Sequence, residues 1–199
     1  DLIDITNLNT KILETQPEII FHLAAQSLVI ESINDPVSTF KSNIVGTINL
    51  LECVKDIKDL KSVVIVTSDK CYALSDNNIQ LNELAPLGGN DPYSASKAAS
   101  EIVISSYRDS FLAKQGLAVG SARAGNVIGG GDWSQDRLIP DAVRAWQAGA
   151  ALEIRNPKAT RPWQHVLEPL AGYLTLAYKL WNQPELAGAY NFGPQPHEV

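Results

Sequence analysis

Apolar and polar positions along the 199-residue chain change period several times, and each change predicts an element. Behind Pro17 the run Ile19-Ile20-Phe21-His22-Leu23 is short, apolar and β-branched, and Ser62-Val63-Val64-Ile65-Val66 has the same character. Both predict buried parallel strands, because a short continuous apolar run suits a strand covered on both faces. Between them Pro36, Val37, Phe40, Ile44, Ile48 and Leu51 recur at three- and four-residue spacing, which predicts a helix with Asp35 as N-cap and Pro36 as its first residue. A second long helix is predicted over residues 93–114 and a strand over 117–122. Helices follow over 138–148 and 168–181, the last with Leu170, Tyr173, Leu174, Ala177 and Trp181 on one stripe. Tyr190-Asn191-Phe192-Gly193 is strand-like, and residues 75–91, rich in Asn, Asp and Gly, predict a loop that runs into the helix at Tyr93. Strands alternating with helices predict the α/β class with a doubly wound parallel sheet. In such sheets ligands sit beyond the carboxyl ends of the strands. The residues to inspect are therefore Ala24-Ala25-Gln26, Thr67-Ser68-Asp69-Lys70 and residues 123–132.

Composition narrows the function classes. Apolar residues at 45% and charged residues at 19% describe a chain that folds around a core. The formal charge of −6 supplies no global attraction for nucleic acid or an anionic membrane surface, so neither is expected as a partner. An anionic ligand must be held by a local basic cluster. The longest apolar runs are far shorter than the roughly 18 residues that a membrane span requires. Cys53 and Cys71 form no CxxC pair, and His22, His165 and His197 lie far apart, so no metal site is expected and a reducing, cytoplasmic setting is. The chain begins at Asp1 and contains no Met, which gives the expectation that both ends are cuts.

Two groups of residues carry candidate chemistry. Tyr93 and Lys97 stand four apart near a predicted helix start, so their side chains share a face. An ammonium beside a phenol stabilises the phenolate; bringing a tyrosine from about 10 to near 7 takes about 4 kcal/mol of differential stabilisation. By spacing alone, a solvated Lys on an amphipathic helix explains the pair equally well. Thr67-Ser68-Asp69-Lys70 places hydroxyls, an acid and a base directly after a strand, where a turn capped by Ser and Asp is the plain alternative. Gly129-Gly130-Gly131-Asp132, behind Asn126, permits close backbone approach to a ligand and also describes an ordinary loop. Arg155, Lys158 and Arg161 make the densest basic cluster, suited to a pyrophosphate or to a solvated face.

His22-Leu23-Ala24-Ala25-Gln26, the Tyr-Ser-Ala-Ser-Lys run from Tyr93 to Lys97, and Ala122-Arg123-Ala124-Gly125-Asn126-Val127 together resemble the extended short-chain dehydrogenase/reductase family. Residues 67–72, 125–140 and 161–170 are similar to the CDP-glucose 4,6-dehydratases within it. The resemblance implies a Rossmann-like sheet, NAD as cofactor and the nucleotide sugar CDP-glucose as substrate. It also implies an internal redox cycle: oxidation at C4, loss of water across C5 and C6, and return of the hydride to C6. Tyr93 would take the C4 hydroxyl proton, Ser68 would bond the C4 oxygen, and Asp69 would protonate the departing C6 hydroxyl. Lys70 stands where the dTDP-glucose relatives carry Glu, and would either accept the C5 proton or stay charged and stabilise the enolate. Ala24, Ala25, Gln26, Asn43, Thr67, Tyr93 and Lys97 would line the cofactor, with Lys97 bridging the nicotinamide ribose and Tyr93. Ser68, Asn126, Arg155 and Arg161 would hold the substrate.

By the same resemblance, residues 1–150 are the remainder of an NAD-binding domain. Residues 151–199 start the sugar-nucleotide portion, interleaved with the last strands, and a homodimer is the expected assembly. The Gly-rich turn that holds the NAD pyrophosphate in this family has no counterpart here, and Ile30-Glu31 and Ile33 replace more polar or aromatic residues. An epimerase or dehydrogenase of the same fold, or a non-catalytic dinucleotide-binding protein, are the alternatives. Asp69-Lys70 beside Ser68 favours a reaction that needs an acid and a base beyond Tyr93.

Overall fold

The structure, a computed structural model, describes residues 1–73, 81–154 and 156–195. Asp4 accepts from the Asn7 N–H and starts α1 (Ile5–Thr15), which Gln16 ends in the left-handed region at φ 44°. After β1 (Ile19–His22) and α2 (Val29–Asn34), Asp35 caps α3 (Pro36–Phe40) as predicted, accepting from the Ser38 N–H. The same helical rod continues through a π turn at Lys41–Val45 into α4 (Gly46–Val54). Then come β2 (Ser62–Val66), a single 3₁₀ turn at Asp69–Cys71, α5 (Pro92–Tyr107) and β3 (Ala118–Ala124). The chain goes on through β4 (Val127–Ile128), α6 (Leu138–Gln147), β5 (Gln164–His165), α7 (Leu167–Asn182) and β6 (Ala189–Phe192).

Four strands form one all-parallel sheet in the order β1-β2-β3-β6, and β4 pairs with β5 in a separate two-stranded ribbon. Alternation along β2 divides the core. Val63 and Ile65 face a cluster with Leu51, Val54, Ile104 and Leu112, while Val64 faces Tyr173, Ala177 and Leu180 of α7. Helices thus cover both faces, as the alternation of periods predicts.

Three expectations are corrected. Of the two strands predicted as buried, only β2 is; β1 is the sheet edge among the described residues, and its Ile19 and Phe21 are exposed. Of the stripe from Pro36 to Leu51, Leu51 is fully buried and Pro36, Ile44 and Ile48 are partly buried, while Val37 and Phe40 face outward. Thr39, Asn43, Thr47 and Leu50 are buried, and Val37 is 61% exposed. That inner face lies against the small side chains of α5, Ser96 and Ser100, and small polar residues permit the close approach. In α7 the packed face is Tyr173, Leu176, Ala177 and Leu180, while Leu174 is 62% exposed. That helix is apolar nearly all round, so its periodicity does not single out a face. The short helices α1 and α2 and the β4–β5 ribbon go beyond the sequence reading.

Gly172 shows how tightly α7 meets β6. A Cβ there would lie 2.4 Å from Cε1 of Phe192, whose ring stacks edge-on to Tyr173 at 5.2 Å. Ala is favoured over Gly by about 1 kcal/mol inside a helix, yet Gly172→Ala is expected to destabilise the fold by about 1–3 kcal/mol through overpacking. Thermal unfolding of the variant checks the sign.

Candidate active site

The carboxyl ends of β2 and β3 open onto a cleft of about 550 Å³. Ser68 leaves β2 in extended conformation and caps the 3₁₀ turn, its Oγ accepting from the Lys70 N–H at 3.2 Å. The turn sets Asp69 and Lys70 side by side at the cleft wall, and Ser68 Oγ donates to Asp69 Oδ1 at 3.1 Å. Across from them α5 begins at Pro92. Its cap, Asp91, accepts from the Ser94 N–H at 2.9 Å and from the Ser94 hydroxyl at 2.6 Å. The capped start fixes Tyr93 in the first helical turn, buried except at the cleft, with Lys70 Nζ 6.0 Å from its ring centroid.

Ser68, Asp69, Lys70, Tyr93, Asn126 and Arg161 all line this one cleft. Segments from β2, α5, the end of β3 and the stretch before β5 therefore meet there. Arg155 lies outside the described residues. Ala24 and Ala25 are exposed beyond β1, and Ala25 and Gln26 border a second, shallower depression. Lys97 and Thr67 lie behind the cleft wall. The Thr67 hydroxyl is engaged by the buried carboxylate of Glu101, and Lys97 Nζ donates to Val66 O at 3.2 Å.

Asn43 is buried rather than on the surface. It accepts from the Gln26 N–H at 2.9 Å and donates to Gln26 O at 2.9 Å and to Ser96 Oγ at 2.8 Å. One side chain thereby ties the segment after β1 to the helix of Tyr93 and Lys97. The π turn widens the helix at this point, as such turns often do at functional sites.

Burial sets the electrostatics. It pushes the Asp69 carboxyl above its ordinary range, outweighing the Ser68 hydrogen bond and the charges of Lys70 and Arg161. It brings the Lys97 ammonium down to about 8, against an upward pull from Glu101. The Tyr93 phenol is pushed up, again by burial first, with Ser68 and Arg137 working downward and Asp69 upward. Tyr93 and Lys97 share a helix face as their spacing predicts, but in the protein alone burial outweighs the lowering expected for the phenol.

Arg137 escaped the sequence reading. It lines the cleft, its Nη2 donates to Ser27 Oγ at 3.3 Å, and its charge favours the Tyr93 phenolate. One signal was present. Arg137 occupies the N-cap of α6 and makes no capping bond, and a cation at a helix N-terminus runs against both capping and dipole preference. The ion pair between Glu101 and Arg123, both buried, was likewise missed. Among the described residues no group of three or more His, Cys, Asp or Glu would hold a metal ion, and no helix is long and apolar enough to cross a membrane.

The chain is 46% identical, over its whole length, to CDP-glucose 4,6-dehydratase of Salmonella typhimurium and spans 57% of that relative. Its fold matches dTDP-glucose 4,6-dehydratase from Streptomyces venezuelae, solved with NAD and DAU bound. There the TM-score is 0.82 at 30% identity, covering 97% of this chain and 56% of the other. Thermus thermophilus UDP-glucose 4-epimerase, in complex with NAD, gives a TM-score of 0.82 at 27% identity, covering 97% and 61%. The family model described as GDP-mannose 4,6 dehydratase matches residues 1–182, and on that match, together with the Rossmann-like sheet that carries the cleft, the chain belongs to the GDP-mannose 4,6 dehydratase family.

Proposed function

We propose that the protein is a lyase, an NAD-dependent nucleotide-sugar 4,6-dehydratase whose substrate is CDP-glucose. One observation carries the reading: Ser68, Asp69 and Lys70 share a cleft with Tyr93, so an acid and a base beyond the tyrosine face the same space. An epimerase of this fold needs no such pair. The 46% identity to a CDP-glucose enzyme supports the nucleotide.

NAD fits the residues present at its nicotinamide end. Lys97 is an ammonium with three N–H donors, 6% exposed, and it spends one of them on Val66 O, which suits it to a ribose diol. Ala24 and Ala25 leave room beyond β1, and Asn43 holds Gln26 in place beside them. When bound, NAD supplies a reversible two-electron oxidation. Tyr93 would accept the C4 hydroxyl proton only once ionised: burial opposes the phenolate in the protein alone, and the Lys97 ammonium with the positive charge of bound NAD⁺ would favour it, while Ser68 Oγ would hydrogen-bond the C4 oxygen. Asp69, held protonated more strongly than an exposed carboxyl, gives its proton to the departing C6 hydroxyl. Lys70 takes the C5 proton or, remaining charged, stabilises the enolate.

Arg161 and Asn126 bind the substrate diphosphate, with Arg137 added to them and Arg155 as a further cation of the same stretch. Residues 1–150 then serve the cofactor and 151–199 open the sugar-nucleotide part, interleaved with the sheet through β6. A homodimer is supported by the apolar residues left outward on α3 and α5, Val37 at 61% and Ile102 at 60% exposure. The buried free thiols of Cys53 and Cys71 suit a cytoplasmic enzyme.

Incubating the full-length protein with CDP-, dTDP-, UDP- and GDP-glucose and developing the 4-keto chromophore in alkali tests the reading. Product from CDP-glucose is expected; product from dTDP-glucose alone overturns the substrate. Arg161→Ala should raise the CDP-glucose dissociation constant by about tenfold or more, since charge-assisted bonds are worth about 1.5–3 kcal/mol. An unchanged constant by calorimetry removes Arg161 from the site.

A further inference from the structure

Among the described residues, the most deeply buried charged pair outside the proposed chemistry joins α5 to β3. The Glu101 and Arg123 side chains are 3% and 5% exposed, and Arg123 Nη2 donates to Glu101 Oε2 at 2.7 Å. Glu101 also accepts from the Thr67 hydroxyl and, at 2.9 Å, from Ser121 Oγ. Arg123 Nη1 donates to Tyr72 OH at 2.9 Å and to Glu83 O at 3.1 Å, and Tyr72 donates onward to Asn191 of β6. An apolar pair of the same volume often holds a helix to a sheet as well as a buried ion pair does. Packing alone therefore gives no reason for these charges.

Position gives one. Glu101 follows Lys97 by four residues, so both side chains leave the same face of α5. They end on consecutive residues of one strand end, Lys97 on Val66 O and Glu101 on the Thr67 hydroxyl. We propose that Glu101 is a positioning residue for Lys97: its carboxylate, fixed by Arg123, Thr67 and Ser121, supplies the negative charge that holds the Lys97 ammonium at the cofactor side of the cleft. The inference rests on the proposed placing of Lys97 at the NAD ribose and names what keeps it fit for that task.

The other groups around Lys97 do not supply this charge. Burial pushes the Cys71 thiol, on the 3₁₀ turn, up to about 12, and brings His22, at the end of β1, down to about 4, so both are neutral at pH 7. Tyr93, on the same helix, is neutral as well, and Asp69 on the turn acts on Tyr93. Lys97 is already down at about 8 with Glu101 pulling upward. Without that carboxylate the midpoint falls further and a larger share of the amine is neutral at physiological pH, so its hold on a ribose diol and a phenolate weakens.

The test uses the full-length protein labelled with ¹³C at its lysine side chains, with Lys97→Arg identifying the Lys97 signal. In Glu101→Gln the Lys97 titration midpoint should fall by about one pH unit or more, and NAD should bind about tenfold more weakly at neutral pH. Glu101→Gln leaves Arg123 buried without its partner, so Glu101→Gln/Arg123→Met, which removes both charges, gives the same measurement if the single variant does not fold. Ser121→Ala keeps both charges, removes one bond to Glu101, and should leave the midpoint in place. A folded double variant whose Lys97 titrates as in the wild type overturns the proposal. So does an equal fall in Ser121→Ala, which would mark loosened packing instead of charge. The titration needs neither substrate nor turnover, so a protein that fails to dehydrate CDP-glucose refutes the functional reading and leaves this measurement standing.

Discussion

Lys70→Ala is expected to cut formation of the 4-keto product by about 10²–10⁴-fold, the range that a positioned proton-transfer group contributes. The lysine sits beside Asp69 on the turn after β2 with its ammonium 6.0 Å from the Tyr93 ring centroid. Lys70 lines the same cleft as Ser68, Asp69 and Tyr93, where the proposed reaction would release the C5 proton. The expectation holds whether Lys70 accepts that proton or stabilises the enolate with its charge. The exchange of the C5 hydrogen with deuterated solvent separates the two: Lys70→Arg retains the charge without a usable base, so it should support product if Lys70 is a stabiliser and abolish exchange if it is the base. Because Lys70 is exposed and forms no side-chain hydrogen bond or ion pair among the described residues, the alanine variant should unfold at the wild-type temperature. Undiminished 4-keto product from Lys70→Ala would remove the residue from the mechanism.

Arg123→Met is expected to be the most destabilising of the single changes, by about 3–5 kcal/mol, the usual cost of stranding one partner of a buried ion pair. The variant leaves Glu101, 3% exposed, with the hydroxyls of Thr67 and Ser121 but no counter-charge. It also frees Tyr72 from the guanidinium that holds it, and through Tyr72 the contact with Asn191. Urea unfolding should show the loss. Adding Glu101→Gln to Arg123→Met should recover most of it, because the stranded charge is then gone. If the single variant is as stable as the double, the pair contributes no more than its packing.

The parts of this fold that were legible in the sequence are those where one local rule decides. Ser62–Val66 is β-branched throughout and too short for a buried helix, and Asp35 with Pro36 satisfies the chemistry of a helix start directly. The turn of Ser68, Asp69 and Lys70 was legible because ligands gather at strand ends. Faces were harder. The α3–α4 rod buries Thr39, Asn43 and Thr47 because their partners, Gln26, Ser96 with Ser100, and His22, come from other segments of the chain. Arg137 reaches the cleft of Tyr93 from the far side, along the approach to α6, and no spacing within either segment announces the meeting. Glu101 and Arg123 look like a helix surface charge and a strand-end charge until the sheet and helix are brought together. Local chemistry was readable; chemistry assembled by tertiary packing was not.

The π turn at Lys41–Val45 amounts to an insertion that the fold has absorbed. A helix widened by one residue keeps its flanking faces where they were, with Thr39 before the bulge and Leu50 and Val54 after it still turned inward. Taking one residue out, Ser42 for example, would return the rod to ordinary α-helical geometry while disturbing the hydrogen bonds of the buried Asn43. Asn43 would then no longer span from Gln26 to Ser96. Chain length at this turn thereby sets whether Asn43 can join the segment after β1 to α5, a task that no single side chain elsewhere in the rod performs.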